Sequence, residues 1–360
     1  MYFRRIKEPS VCQRRGRDSS TMTNVLDYMK ILLRMPLHQP TLSVKKVAHM
    51  FKEPYILSGY RPTNKPWSYY FLSFFQLHNE SVNVWTHSLA FVLVLTQLYR
   101  LSLSIDFATN KDAATIIGFS IGALIQVFLS SACHLLHAKS PWWHYIWFLL
   151  DYAGVTFNSF GTGLACFYVC SHKDVYGLVE SVFLPFNILM SWIGFLSCCI
   201  AKLCFKDPYS KARKLLMVSA LGSQAFLVGI PVLARYVPCI LDDDCRLSSL
   251  THLHFVFFFL ICDALTFSTH FPEELKPGHF DIFGHGHQIF HICTLITMMV
   301  EMEAIKTDIV SGATAHTRPD LTSFLMAFAV LIVVELLTLV SIRGLINTKV
   351  KEVLSASKSD

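Results

Sequence analysis

The sequence predicts an all-α integral membrane protein: a seven-helix core bundle joined by an eighth, C-terminal transmembrane helix, with the N-terminus in the cytosol. Three observations predict it. Of the 360 residues, 53% are hydrophobic and only 16% are charged, a balance that suits lipid better than water. Eight apolar stretches each approach the roughly 20 residues that a bilayer requires. The Lys and Arg residues cluster between these stretches, as topology signals do.

The stretches run at about 82–104, 114–136, 143–170, 178–203, 214–236, 252–270, 287–305 and 321–343. The first begins too far into the chain for a cleavable leader, so it must itself direct insertion. The second ends in "SSACHLLHAK". The third opens on Trp142, Trp143 and Trp147, read as an interfacial aromatic belt, and carries Asp151. A basic loop with Lys202, Lys206, Lys211, Arg213 and Lys214 follows the fourth, whereas the fifth leads to the acidic "LDDDC". The N-terminal arm is basic too ("YFRRIK", "CQRRGR", "VKK"), and an even number of intervening helices puts arm and loop together on the cytosolic side. Eight helices also return Arg343, Lys349, Lys351 and Lys358 to that side. The expected division is a cytosolic basic arm over 1–80, a membrane domain over 81–345 and a cytosolic tail over 346–360.

The formal net charge of +6 does not imply nucleic acid, because the basic groups lie in short clusters beside apolar runs and suit anionic lipid. Of the 11 cysteines, most sit inside apolar runs as small hydrophobes. Cys239 and Cys245 share a polar loop expected outside the cell, where a disulfide persists. The sequon Asn79-Glu80-Ser81 falls on the cytosolic side, which argues against a glycan there.

This topology brings one set of ionisable residues to one depth. Ser130 and His134 stand one turn apart near the cytosolic end of the second helix. Asp151 lies near the start of the third. His287 and His291, in "GHGHQIFH", share a face of the seventh through their i, i+4 spacing. Ionisable groups inside a membrane are costly and mark function. Three imidazoles with a carboxylate nearby suit Zn²⁺, with His134, His287 and His291 as ligands and a fourth position left to water. Asp151 could then hold that water or orient a ligand, and Ser130 could support it. Glu80 and Asn83 are read as caps of the first helix, His285 as a bystander, and His270 as a substitute ligand. Asp263 is expected to line a cavity or to pair with Gln126, Asn158 or Gln224.

The motifs "EPYILSGYRP", "HNESVNVWTH", Ser130-x3-His134, Asp151 in "LDYAGV" and "GHGHQIFH" resemble the progestin and adipoQ receptor family from about residue 44 onward, on its membrane progestin receptor branch. The resemblance implies a seven-helix core with a cytosolic N-terminus. It also implies a zinc ion near the inner leaflet, bound by His134, His287 and His291, with Asp151 on the zinc-bound water. It further implies rapid non-nuclear progestin signalling through inhibitory G proteins, with roles in gamete maturation. The eighth helix departs from the adiponectin receptors.

Two functions of different class therefore stand. The first is a plasma-membrane progestin receptor, a multi-pass protein of the cell surface and of endosomal membranes, with membrane lipids and a second copy of the chain as further partners. The second is a zinc-dependent, ceramidase-like lipid amide hydrolase in which Asp151 and Ser130 are catalytic. A zinc ion that only clamps the helices is the plainer alternative.

Overall fold

Long helices carry the fold. A computed structural model of the protein describes residues 40–205, 210–241, 246–312 and 319–356. The chain divides into two units, Met1–Pro40 and Thr41–Asp360. The second unit holds eight long helices among the described residues: α1 (Ser81–Ser104), α2 (Ala113–Leu136), α3 (Pro141–Tyr168), α4 (Lys173–Cys204), α5 (Lys211–Leu233), α6 (Thr251–Ser268), α7 (Gly286–Ser311) and α8 (Leu321–Ala356). α8 runs past the expected boundary near residue 345, so residues 346–356, read from sequence as tail, continue the helix.

Local chemistry sets several of the helix ends. Ser140 accepts from the Trp143 amide and Pro141 follows it, a start that uses the fixed φ of proline where its missing N–H costs nothing. Ser210 caps α5 through the Arg213 amide. α7 stops at Gly312, whose φ of 64° is the left-handed conformation that closes helices.

Consecutive helices pack as neighbours from α1 to α5, α6 pairs with α7, and α7 returns to α1. This makes a seven-helix ring. α8 lies outside it against α2, α3 and α4. The α2–α3 crossing is tight: a Cβ on Gly122 would stand 2.4 Å from the Phe157 carbonyl oxygen, and one on Gly154 would stand 3.0 Å from the Gln126 Cα. Small residues let two backbones approach in this way where lipid gives no hydrophobic push. Around the crossing, Phe160, Leu164 and Phe167 of α3 pack with Phe195 of α4 and Phe324 and Leu331 of α8.

Seven of the eight helices are long and apolar enough to cross a membrane, and α3 is the exception. Its tryptophans, tyrosines, Asp151 and Asn158 lower its hydropathy. The ring explains why that is tolerated, since α3 touches α2, α4, α5 and α8 and offers its polar groups to protein rather than to lipid. α8 shows the opposite pattern, with Met326, Val333, Leu337 and Val340 all exposed on what is a lipid-facing surface.

Residues 41–80 close one end of the bundle. Leu42 and Tyr60 form an antiparallel bridge. The Asp281 carboxylate, in the α6–α7 loop, accepts from the Leu57 amide at 2.9 Å and from the Ser58 hydroxyl at 2.6 Å. Arg61 is buried, and it donates to the carbonyls of His134 at 2.6 Å and Leu135 at 2.5 Å and to Ser73 Oγ at 2.9 Å. At the opposite end Arg235 makes a bidentate pair with Asp308, which also meets His252 Nε2 at 2.9 Å. Cys239 is disulfide-bonded; Cys245, its expected partner, lies outside the described residues. The sequon residue Asn79 is buried, which leaves no room for a glycan.

Candidate metal centre and cavity

Two helices deliver the histidines. The last turn of α2 carries His134, and the first turns of α7 carry His287 and His291 one above the other. Their Nε2 atoms converge: His287 stands 3.2 Å from His134 and 3.2 Å from His291. One ligand nitrogen from each lies within 4.8 Å of the other two, and all three rings are largely withdrawn from solvent.

For His134 and His291 the other ring nitrogen shows why Nε2 is bare. His134 Nδ1 lies 2.8 Å from Glu80 Oε2, and His291 Nδ1 lies 3.3 Å from the Asn83 carbonyl and 3.3 Å from Thr86 Oγ1. An acceptor at Nδ1 puts the proton there and leaves the Nε2 lone pair free. Bare lone pairs at such separations repel each other unless a proton or a cation sits between them. Three neutral imidazoles around one point are the donor set of a zinc ion with an open fourth position, so the residues present fit that metal.

Glu80 is a correction to the sequence reading. It occupies the N-cap position of α1 but makes no side-chain cap bond. Its carboxylate instead binds His134, accepts from Asn83 Nδ2 at 2.6 Å and approaches His137 Nε2 at 3.6 Å. Burial alone would raise its pKa, but His134 and His137 prevail and hold it well below the usual carboxylate range. Glu80 is therefore an ionised orienting group for His134. His87, one turn beyond Asn83, stacks on His291 with ring centroids 3.7 Å apart. The signal for both was available in "HNESVNVWTH", where polar residues recur along one face of an otherwise apolar helix; the capping explanation obscured it.

Asp151 and Ser130 line the same cavity as His134, but Asp151 is not among the three groups that converge. His285 stands apart, with Nε2 3.2 Å from the Asn79 carbonyl. His270 reaches the Glu273 carboxylate at 3.8 Å and is likewise outside the cluster. Close to His134 lies a second histidine pair that sequence reasoning did not foresee: His137 Nδ1 is 3.2 Å from His144 Nδ1, and Lys202 Nζ is 3.1 Å from His144 Nε2. Lys202, counted in the sequence as a loop charge, sits in the last turn of α4 against the Phe148 ring. Asp263 was expected to line a cavity or to pair with Gln126, Asn158 or Gln224; it lines the cavity and meets Thr294 at 2.8 Å, because α6 packs on α7. Gln224 is engaged with Ser191.

The histidines open onto a cavity of about 460 Å³ between the helices. Its wall is mostly apolar, with Met217, Leu221, Val228, Phe257, Leu260 and Met298 among its residues, and it extends along α7 from His287 to Ile305. Glu53 and Ile56 of the preceding segment lie at its histidine end.

Residues 75–302 match the haemolysin-III related family, an interval that contains every residue of the centre. The chain belongs to that family, on the membrane progestin receptor branch. It is 37% identical over 270 residues to membrane progestin receptor alpha-B of Danio rerio, covering 74% of this chain and 76% of that protein. It is 37% identical over 280 residues to membrane progestin receptor beta of Homo sapiens, covering 77% of each. Against membrane progestin receptor alpha of Mus musculus it is 36% identical over 279 residues, covering 76% of this chain and 79% of the relative. Alpha and beta receptors thus match equally well.

Proposed function

We propose that this protein is a multi-pass progestin receptor of the cell membrane, with residues 41–80 and the three-histidine end on the cytosolic side. The observation that carries this is the closed ring around a largely apolar cavity of about 460 Å³, in a chain whose relatives are named membrane progestin receptors. Small-molecule sites are of this size and character, with a few placed polar groups. A steroid reaches such a cavity from the bilayer, and by binding one helix arrangement more tightly than another it shifts their populations. The shift is read at the end where residues 41–80 cover the cavity, by an inhibitory G protein.

In this reading His134, His287 and His291 hold Zn²⁺ and tie α2 to α7. Glu80 fixes the tautomer of His134, and the Asn83 carbonyl fixes that of His291. Full-length protein in lipid nanodiscs tests the proposal by equilibrium binding of a radiolabelled progestin. Saturable binding, together with progestin-stimulated loading of a GTP analogue in membranes that contain the protein, is the expected result. Binding no greater than that of empty nanodiscs contradicts it.

A hydrolytic reading draws on Asp151 and Ser130, which line the same cavity as His134. A zinc ion bound there would supply an acidified water, Asp151 would take its proton, and Ser130 would steady the carboxylate or the substrate carbonyl. Release of fatty acid from ceramide, lost in Asp151→Asn, is the outcome this reading requires.

A further inference from the structure

α7 turns one stripe of side chains to the cavity, and His287, His291, Thr294, Met298 and Glu301 all line it. Beyond the histidines the stripe carries hydrogen-bonding groups that metal binding does not use. Asp263 of α6 accepts from Thr294 Oγ1 at 2.8 Å through Oδ1. Glu301 accepts from Thr162 Oγ1 of α3 at 3.4 Å through Oε2, while its Oε1 is buried without a partner. Neither carboxyl is in an ion pair among the described residues.

An unpaired carboxylate among apolar helices is expensive. The neutral acid is the form this environment holds, and its free O–H is a donor. Thr294 and Glu301 are seven residues apart, two turns of α7 and about 10 Å of rise. Between the two carboxyls the wall is largely apolar, with Met298 of α7 and Leu260 of α6 lining it. Gln126 Oε1 and Asn158 Oδ1, also on cavity-lining residues, are buried without partners. This interior therefore has more hydrogen-bonding capacity than the protein itself uses.

We infer that Asp263 with Thr294 and Glu301 with Thr162 are two hydrogen-bonding stations at different depths of one cavity. Together they select a rigid apolar ligand with a hydrogen-bond acceptor at each end. The assignment rests on the receptor reading, and a steroid with a ketone at each end of its ring system has that chemistry. Each ketone accepts from one carboxyl O–H while the ring system fills the apolar stretch between.

The test measures binding of a diketo progestin, and of two analogues that each lack one terminal ketone, to the full chain in nanodiscs. Asp263→Leu and Glu301→Leu are each expected to weaken diketone binding about tenfold, the scale of one buried hydrogen bond. Asp263→Asn and Glu301→Gln, which keep an N–H donor, stay within about threefold of wild type. Each analogue should be insensitive to one leucine variant and sensitive to the other. If a leucine variant does not fold, as judged by gel filtration, Asp263→Ala or Glu301→Ala, which also removes the donor, supplies the same contrast. Diketone affinity unchanged in both leucine variants, or analogue losses that do not pair one ketone with one station, overturns the two-station assignment alone. A wild type that binds no steroid overturns the receptor reading itself.

Discussion

Replacing Arg61 by Met should destabilise the fold at the histidine end. The guanidinium is buried and donates to the carbonyls of His134 and Leu135 and to Ser73 Oγ. Both carbonyls belong to the last turn of α2, where no amide further along the helix can reach them, and a cation there also meets the negative end of the helix dipole. Met fills similar volume but leaves two buried carbonyls and one hydroxyl without this donor. At about 1–3 kcal/mol for each stranded carbonyl, the loss is about 2–6 kcal/mol. Because one of those carbonyls is His134's own, the ring should lose its aim as well, with metal affinity falling about 10–100-fold, as for other supporting contacts of a ligand. Arg61→Lys keeps the charge but not the fork, so it should recover only part of either loss. Denaturant unfolding in detergent micelles reads the first quantity, and metal competition with a chelating dye reads the second. An Arg61→Met protein within about 0.5 kcal/mol of wild type, with unchanged metal affinity, would show that the guanidinium does not hold this end of α2.

The same geometry fixes other outcomes. Gly122→Ala puts a Cβ 2.4 Å from the Phe157 carbonyl oxygen, so α2 and α3 must part; a loss of about 1–3 kcal/mol is expected from overpacking, visible as a lowered unfolding midpoint. Asp308→Asn leaves Arg235 facing a neutral amide and weakens the His252 contact, which should destabilise the far end by about 3–5 kcal/mol and speed tryptic cleavage at Arg246. Glu53, beside the cavity mouth, has its pKa raised to about 7 by burial and by the charge of Glu80. A carboxyl whose folded pKa lies above its unfolded value favours the fold below pH 4.5, the unfolded value, and that contribution is lost as pH rises through about 7. Thermal stability should therefore fall between about pH 5 and pH 8, and Glu53→Gln should flatten that slope by about half or more; an unchanged slope counts against the assignment.

Much of the architecture was legible because hydropathy in lipid is a strong signal. The eight apolar stretches appear as eight helices, and α7 shows the i, i+4 pair His287 and His291 on one face. His134 could be matched to them only through depth, and the ring provides that match. What sequence missed has a common physical origin: it depends on neighbours that the chain order does not reveal. Arg61 lies in a loop without periodicity, and the two carbonyls it holds are more than 70 residues away. Glu80 could equally have capped α1, and only the approach of α2 makes it a histidine partner. Asp263 finds Thr294 because α6 pairs with α7, a choice the apolar run of α6 does not encode. α3 is less apolar than its neighbours because they shield it. The expected tail became the last turns of α8, since the residues after 345 retain good helix formers and no breaker.

Whether the three histidines hold a metal is decided by the zinc content of the purified full-length protein. Inductively coupled plasma mass spectrometry reads it, beside the His134→Ala, His287→Ala and Glu80→Gln variants. The converging Nε2 atoms predict about one zinc per chain in the wild type. Each alanine variant should be close to empty, and Glu80→Gln should be loaded but release its metal to a chelator about 10–100-fold more readily. A wild type that contains no zinc after purification without chelators, or alanine variants as fully loaded as the wild type, would contradict it.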